Sequence, residues 1–236
     1  MRARDKDNVS IADSPFDTRK TVGAPSVLLK RSEIVAEIRR LATDPNRSGS
    51  PARIINDAKV SGVDINKASV TTDDGRTFIG DILIGADGIN SLIRSAMLEA
   101  APASGGEQTV SEGPKGRPRP SGLVAYVTSV PHEVIASDAD LAFQADVDTA
   151  AGLTVYYGAA GRGAKERILV YPINKTHFQI VGYSPEAPWI ADFEASKSSI
   201  LKNQSSSRAA EDFKDFHPSV YKLFRCASSL RDTRCK

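Results

Sequence analysis

The sequence predicts a mixed α/β fold, and three stretches of the chain carry that prediction. Residues 77–98 predict a strand, a tight turn and a helix, because an apolar run from Phe78 to Ile84 precedes turn residues and then apolar residues at helical spacing. Short strand-like segments separated by hairpin-turn residues come before this unit. A second strand series follows between residues 123 and 183, at a spacing that favours an antiparallel sheet.

The turn within residues 77–98 holds the side chains best suited to bind a ligand. Asp87 offers an acceptor carboxylate, Gly88 permits close approach of the backbone, and Arg94 offers a cation. Asn90 or Ser91 can cap the helix that follows. An isolated Asp-Gly pair is usually only a turn. Here the strand before it and the helix after it favour a nucleotide site, because α/β proteins hold nucleotides beyond a strand end and near a helix N-terminus.

Residues 82–94, ILIGADGINSLIR, resemble the DG motif of the FAD-dependent aromatic hydroxylases. These are the flavoprotein monooxygenases of the salicylate and p-hydroxybenzoate hydroxylase type. The resemblance implies that Asp87 and Gly88 bind FAD, with Arg94 as a further cofactor-binding candidate. It also implies a partial FAD-binding, Rossmann-like domain with a β-meander, followed by a mostly antiparallel substrate domain.

A helix is predicted after Lys30 and Arg31, since apolar residues recur at helical spacing within residues 34–42. Ser32 can cap this helix. Two cations at a helix N-terminus face the unfavourable end of its dipole, so either an anion lies nearby or the pair is simply solvated. Residues 30–38 are similar to the family's HR-x-x-L helix start, whose Arg contacts FAD. The resemblance therefore assigns Arg31 to an FAD phosphate or ribose, while Lys30 stands where the family usually has His.

The predicted domain organisation follows the same resemblance. Residues 1–112 are a partial FAD-binding domain with a polar, non-periodic lead at 1–26, and residues 113–225 are a substrate-domain-like region. Residues 226–236 are a truncated return to the FAD domain. The Gly-, Pro- and Ser-rich stretch 99–122 is predicted to be a crossover or a linker.

The second half of the chain contains aromatic residues with two alternative interpretations and a stretch predicted to be helical. Five aromatic residues of its strands either line a pocket for an aromatic substrate or fill the core, the use that half-buried sheet faces favour: Tyr126, Tyr156, Tyr157, Tyr171 and Phe178. Residues 189–224 are predicted to be helical, with a helix entry at His217 and Pro218.

Composition limits the class of protein. The 236 residues are 40% hydrophobic and 25% charged, as in globular proteins, and a net charge of +2 does not favour nucleic acid or an anionic membrane. No apolar run approaches the ~20 residues of a membrane helix. Cys226 and Cys235, with three scattered histidines, make no metal-ligand pattern. Free thiols in a reducing, cytoplasmic compartment are expected.

The resemblance implies an FAD-dependent monooxygenase that consumes NAD(P)H and O2 and hydroxylates a small aromatic substrate. No catalytic base is assigned, because the cofactor carries the chemistry in such enzymes. The family's G-x-G-x-x-G loop is not found in residues 1–60, and its GD motif is not reached before Lys236. A truncated form with weak or no FAD binding is therefore expected. The alternatives are an inactive fragment or interaction module, or another flavoenzyme of the same fold, such as an epoxidase or reductase.

Overall fold

The computed structural model describes residues 1–14, 18–101, 120–141, 152–159, 161, 165–196, 200–226 and 230–234. The chain divides into two compact units. The first unit comprises Met1–Arg39 and Pro120–Cys235, and the second comprises Arg40–Arg119 with Lys236.

A mixed sheet of eight strands forms the first unit. Its strands are β1 (Arg2–Arg4), β2 (Ser10–Asp13), β6 (Leu123–Pro131), β7 (Thr154–Tyr157), β8 (Arg167–Pro172), β9 (His177–Pro185), β10 (Ile200–Gln204) and β11 (Leu230–Arg234). They lie in the order β10-β11-β6-β9-β8-β7-β1-β2. Neighbouring strands are antiparallel except β1 and β7, which are parallel. The antiparallel series predicted for residues 123–183 is confirmed.

One face of this sheet is apolar because alternate residues of its strands point the same way. Tyr126 of β6, Ile168 of β8 and Ile180 of β9 are fully buried in one cluster with side chains that follow β9 in the chain. The helical segments of the first unit are α1 (Arg19–Val22), α4 (His132–Ser137), a 3-10 turn (Ala187–Trp189), α5 (Ile190–Ser196), α6 (Ser206–Asp212) and α7 (Pro218–Arg225). The helix α2 (Arg31–Ala42) begins in the first unit, and its residues from Arg40 onward are counted in the second.

Close packing between the sheet and its helices requires a glycine at position 182. A Cβ on Gly182 would lie 2.5 Å from Phe213 and 2.7 Å from Phe224, whose rings stack at 5.0 Å between centroids.

A polar contact also lies within this core. The indole N–H of Trp189 donates a 2.7 Å hydrogen bond to the Tyr126 hydroxyl, which itself donates to Asp212.

The second unit contains the predicted meander, which is confirmed. Its antiparallel strands are β3 (Val60–Asp64), β4 (Ser69–Thr72) and β5 (Thr77–Ile79), followed by α3 (Leu92–Ala100). Gly75 turns the chain from β4 to β5 with a φ of 82°, which glycine adopts without strain. The stretch before α3 lies close to the helix, since a Cβ on Gly85 would be 2.9 Å from the side chain of Ile93.

The prediction of a buried strand from Phe78 to Ile84 is wrong beyond Ile79. Ile79 pairs with Ser69, the first residue of β4, and Ala68 turns the chain away with a φ of 46°. β5 therefore loses its partner at that point. Ile82 and Ile84 are unpaired and 79% and 81% exposed.

Three other local predictions also differ from the structure. The lead at residues 1–26 contains β1, β2 and α1, and Ala3 of β1 is fully buried where β1 pairs with β7. The helical region 189–224 is interrupted by β10. Residues 53–55, one of the strand-like segments before residue 77, have no regular structure.

Two further predictions concern the C-terminal stretch and the linker. β11 pairs with β6 in the sheet of the first unit, whereas the sequence placed residues 226–236 in the cofactor domain. Most of the predicted linker, residues 102–119, lies outside the described residues.

Candidate functional site

The carboxylate of Asp87 lies at the start of α3, where it accepts three hydrogen bonds. The Ser91 hydroxyl donates to it at 2.5 Å, the Leu92 N–H at 2.7 Å and the Ile93 N–H at 3.3 Å. Backbone N–H groups in the first turn of a helix have no partner within the helix, so a carboxylate there is well placed. The predicted turn-then-helix geometry is therefore present.

Ser91 and Arg94 stabilise the same turn from the side of α3, so that residues 87–94 form one corner of the chain. Ser91 is the N-cap, because its Oγ accepts a 2.9 Å hydrogen bond from the Arg94 N–H. The Arg94 guanidinium folds back and donates to the carbonyl oxygens of Gly88, at 3.3 Å, and Ile89. Arg94 thus braces the turn.

Two properties of the corner suit a ligand with hydroxyl or phosphate groups. The Ser91 hydroxyl, followed by the backbone N–H groups of the helix start, lowers the pKa of the exposed Asp87 carboxyl, so that it remains an anionic acceptor at neutral pH. Gly88 has a φ of 78°, and nothing lies within 4 Å of the position that a Cβ would take. Its backbone is open to close approach.

A cavity of about 970 Å³ lies within the first unit, between the start of α2 and the sheet. Its lining residues come from the approach and first turns of α2, from β6, and from β8, β9 and their connecting turn: Leu29, Lys30, Arg31, Ser32, Val35, Val127, Thr128, Ser129, Tyr171, Ile173, Asn174, Thr176, His177 and Gln179. Three of these residues are basic and none is acidic.

The helix α2 begins two residues earlier than predicted, because its cap is Lys30 and not Ser32. The carbonyl of Lys30 accepts hydrogen bonds from the N–H groups of Glu33 and Ile34, so Lys30 lies at the cap position and Ser32 lies inside the first turn. Neither Lys30 nor Arg31 makes an ion pair with a described residue. Both side chains are exposed.

The sheet separates the five aromatic candidates by face. Tyr126, Tyr156 and Phe178 are buried in the helix-covered core. Tyr171 lines the cavity, and burial followed by the nearby Tyr183 raises the pKa of its hydroxyl, which stays a protonated donor. Tyr157 is half-buried and alternates with Tyr156, so it belongs to the face opposite the core.

The structure groups the sequence-predicted site residues by unit. Asp87, Gly88 and Arg94 lie together at one corner of the second unit, and Arg31 lines the cavity of the first. Sequence reasoning missed Gln179 and His177 as cavity residues. Their signal was the alternation of polar and apolar residues along β9, which puts them on the face opposite Phe178 and Ile180.

The described part of the chain contains neither a metal-ligand cluster nor a membrane-spanning helix. No group of three His, Cys, Asp or Glu side chains there is arranged to hold a metal ion. No helix within the described ranges combines the length and the apolar character that crossing a membrane requires.

Comparison with known proteins gives relatives of one kind. Hispidin-3-hydroxylase from Neonothopanus nambi is 34% identical over 101 residues, which cover 42% of this chain and 24% of that protein. The FAD-dependent monooxygenase phomE from Diaporthe leptostromiformis is 28% identical over 171 residues, covering 72% of this chain and 41% of that protein. No protein-family model matches the chain.

A solved structure gives the same fold over nearly the whole chain. The salicylate hydroxylase substrate complex matches with a TM-score of 0.64 and 17% identity, over 99% of this chain and 51% of that one. The mixed α/β fold class predicted from the sequence is therefore confirmed. This chain spans less than half the length of either curated relative and about half of the solved structure.

Proposed function

We propose that this chain, a homologue of FAD-dependent monooxygenases, forms part of an enzyme that hydroxylates a small aromatic compound with NAD(P)H as reductant and O2 as oxidant. The observation that carries the proposal is the corner at Asp87 and Gly88. An anionic carboxylate and an open glycine backbone lie directly before a capped helix, inside a segment that resembles the family's DG motif. The names of the curated relatives support the same activity.

The residues present suit FAD by their chemistry. Asp87 would accept hydrogen bonds from ribityl or ribose hydroxyls, and Gly88 would let the cofactor approach the backbone. Arg31, exposed and without an ionic partner among the described residues, would bind a phosphate or ribose. We propose that Arg94 acts through the corner, by holding the carbonyls of Gly88 and Ile89 in place.

When bound, FAD would supply the transfer of electrons from NAD(P)H and the activation of O2. The chain itself would position the cofactor and the substrate and would exclude water from the site. The cavity beside Arg31 offers a space of about 970 Å³ with Tyr171 on one wall, large enough for a small aromatic substrate.

We propose that the antiparallel sheet belongs to a substrate domain and that the second unit and α2 belong to a cofactor domain. We also propose a cytoplasmic location, for which the free thiol of Cys226 is the support.

The second candidate function is an inactive chain or interaction module derived from such an enzyme. The exposed isoleucines 82 and 84 favour it, because apolar side chains beyond a strand end are suited to being covered by other polypeptide.

An assay of the 236-residue protein separates the two candidates. The protein is mixed with FAD, NAD(P)H and a panel of small aromatic compounds, and both NAD(P)H oxidation and hydroxylated product are measured. Substrate-dependent hydroxylated product that falls at least tenfold in the Asp87→Asn variant supports the monooxygenase. Oxidation of NAD(P)H without hydroxylated product supports another flavoenzyme. Silence with every compound, under conditions where the protein is folded, supports the inactive chain.

A further inference from the structure

The helix α7 has a histidine side chain as its N-terminal cap. His217 has the non-helical backbone of a cap residue, with a φ of −48° and a ψ of 138°, and Pro218 takes the first helical position. The Nδ1 atom of His217 accepts the backbone N–H of Ser219 at 3.3 Å. The usual cap residues accept through an oxygen atom. An imidazole nitrogen accepts only while it carries no proton, so this cap depends on the protonation state of His217.

The side chain of Ser219 lies against the same nitrogen. Its Oγ is 2.8 Å from Nδ1 of His217, and Ser219 is buried. While Nδ1 is unprotonated, both the hydroxyl and the N–H of Ser219 can donate to it. Once Nδ1 is protonated, the hydroxyl oxygen can accept instead, but the Ser219 N–H then faces another donor. The added positive charge also opposes the helix dipole, so protonation disfavours the start of α7 on two counts.

The backbone of His217 connects this helix to the turn between β1 and β2. Its N–H donates a 2.6 Å hydrogen bond to the carbonyl of Lys6, and its carbonyl accepts the N–H groups of Val220 and Tyr221. The hairpin of β1 and β2 forms one edge of the eight-stranded sheet. One residue therefore joins the start of α7 to the edge of the sheet, and loss of the cap should loosen both.

The other charged groups around this helix start are of types that keep their charge near neutral pH. Carboxyl and ammonium groups ordinarily titrate far from neutrality, whereas imidazole changes its charge between roughly pH 5 and 8. A hydrogen bond to Asp7 raises the pKa of Lys6, and Lys222 further along α7 is bonded to Asp138 and Asp140. The groups concerned lie on the turn between β1 and β2 and in or after α6: Asp5, Lys6, Asp7, Glu211, Lys214 and Asp215.

We propose that His217 is a pH-sensitive cap, whose protonation opens the start of α7 and releases it from the turn between β1 and β2. The cap requires a neutral Nδ1, so its contribution is complete above roughly pH 7 and is lost as the pH falls toward 5. The proposal does not depend on the proposed function. It concerns a helix whose side chains Val220, Leu223 and Phe224 are part of the buried core.

The test is amide hydrogen exchange of the 236-residue protein at about pH 7.5 and about pH 5.5, on either side of the ordinary imidazole titration. Protection factors are compared, because they exclude the pH dependence of the intrinsic exchange rate. Protection of the amides at positions 217 and 220 is expected to fall roughly fivefold at the lower pH, the size of the loss of one cap.

Two variants carry caps that do not titrate in this range. His217→Asn and His217→Asp retain an acceptor oxygen, so both should keep the same protection at the two pH values. Either variant suffices if the other fails to fold. His177→Gln is the matched control, because His177 belongs to β9 and not to a helix start, and it should respond as the wild type does. Unchanged protection in the wild type, or a fall that persists in His217→Asn or His217→Asp, would overturn the proposal.

Discussion

The hydroxyl of Ser91 donates a 2.5 Å hydrogen bond to the carboxylate of Asp87 while its oxygen accepts the N–H of Arg94 at 2.9 Å. One side chain thus ties the turn at Asp87 to the first turn of α3. The same carboxylate accepts two backbone N–H groups of that turn. The proposed cofactor corner and the helix start are therefore one hydrogen-bonded unit.

Replacing Ser91 by Ala removes both of those bonds. Loss of an N-cap hydroxyl should destabilise α3 by about 1 kcal/mol. Hydrogen exchange at the Arg94 amide should quicken accordingly. Ser95→Ala is the control, because Ser95 only donates to the Ser91 carbonyl from inside the helix, and Ala is a better helix former there. Equal exchange rates in the two variants would contradict the capping role.

The charge of Asp87 gives the corner a pH dependence. Hydrogen bonds from Ser91 and the helix start lower the pKa of Asp87, so its contribution to stability is complete above the unfolded value of about 3.9 and is lost as pH falls through the lower folded value. The amide resonances of Leu92 and Ile93 should follow that titration. Asp87→Asn should abolish it. A Leu92 amide that titrates in the variant as in the wild type would show that another group is responsible.

Gly182→Ala tests the packing of the sheet against its helices. The added methyl group would lie 2.5 Å from the ring of Phe213 and 2.7 Å from the ring of Phe224, and both rings are buried, so neither can move away easily. Overpacking of this kind costs roughly 1–3 kcal/mol, and urea unfolding should show it. Gly62→Ala is the control, because its Cβ would meet Thr71 at an ordinary 3.6 Å. Similar unfolding midpoints for both variants would mean that the core relaxes around the methyl group.

Tyr126→Phe tests the buried polar contact. The change leaves the Trp189 N–H and one bond of Asp212 without their partner, which should destabilise the protein by roughly 1–3 kcal/mol. Tyr221→Phe is the control, because Tyr221 packs against the same core without a hydrogen bond from its hydroxyl to a described residue. A destabilisation no larger than that of the control would show that the buried hydroxyl is energetically neutral. Denaturant unfolding measures both variants.

The sequence predicted elements whose signal is local. The helix over Arg31–Ala42 has an apolar stripe at helical spacing, and the strand segments between residues 123 and 183 have a spacing that favours an antiparallel sheet. The antiparallel sheet and the meander followed from those patterns. The corner at Asp87 was found for the same reason, because its turn residues and its cap lie within eight residues of the helix start.

The features that could not be predicted from the sequence depend on residues that are far apart in the chain. The tripeptide β1 has no local strand signal and becomes a strand by pairing with β2 and with the distant β7, where the Arg2 N–H donates to the Leu153 carbonyl. The apolar run to Ile84 contains strand-forming residues, yet it ends as a strand at Ile79 because β4 begins at Ser69. The cavity joins Lys30 to Gln179, about 150 residues apart, and no local pattern places them together.

The proposed function depends most on the binding of FAD at the corner of Asp87 and Gly88. Titration of isotope-labelled protein with FAD, followed by NMR, tests it most directly. FAD is expected to shift the amide resonances of Gly88 and Leu92, and Asp87→Asn should remove those shifts. Shifts confined to other parts of the chain, or an unchanged response in the variant, would contradict it.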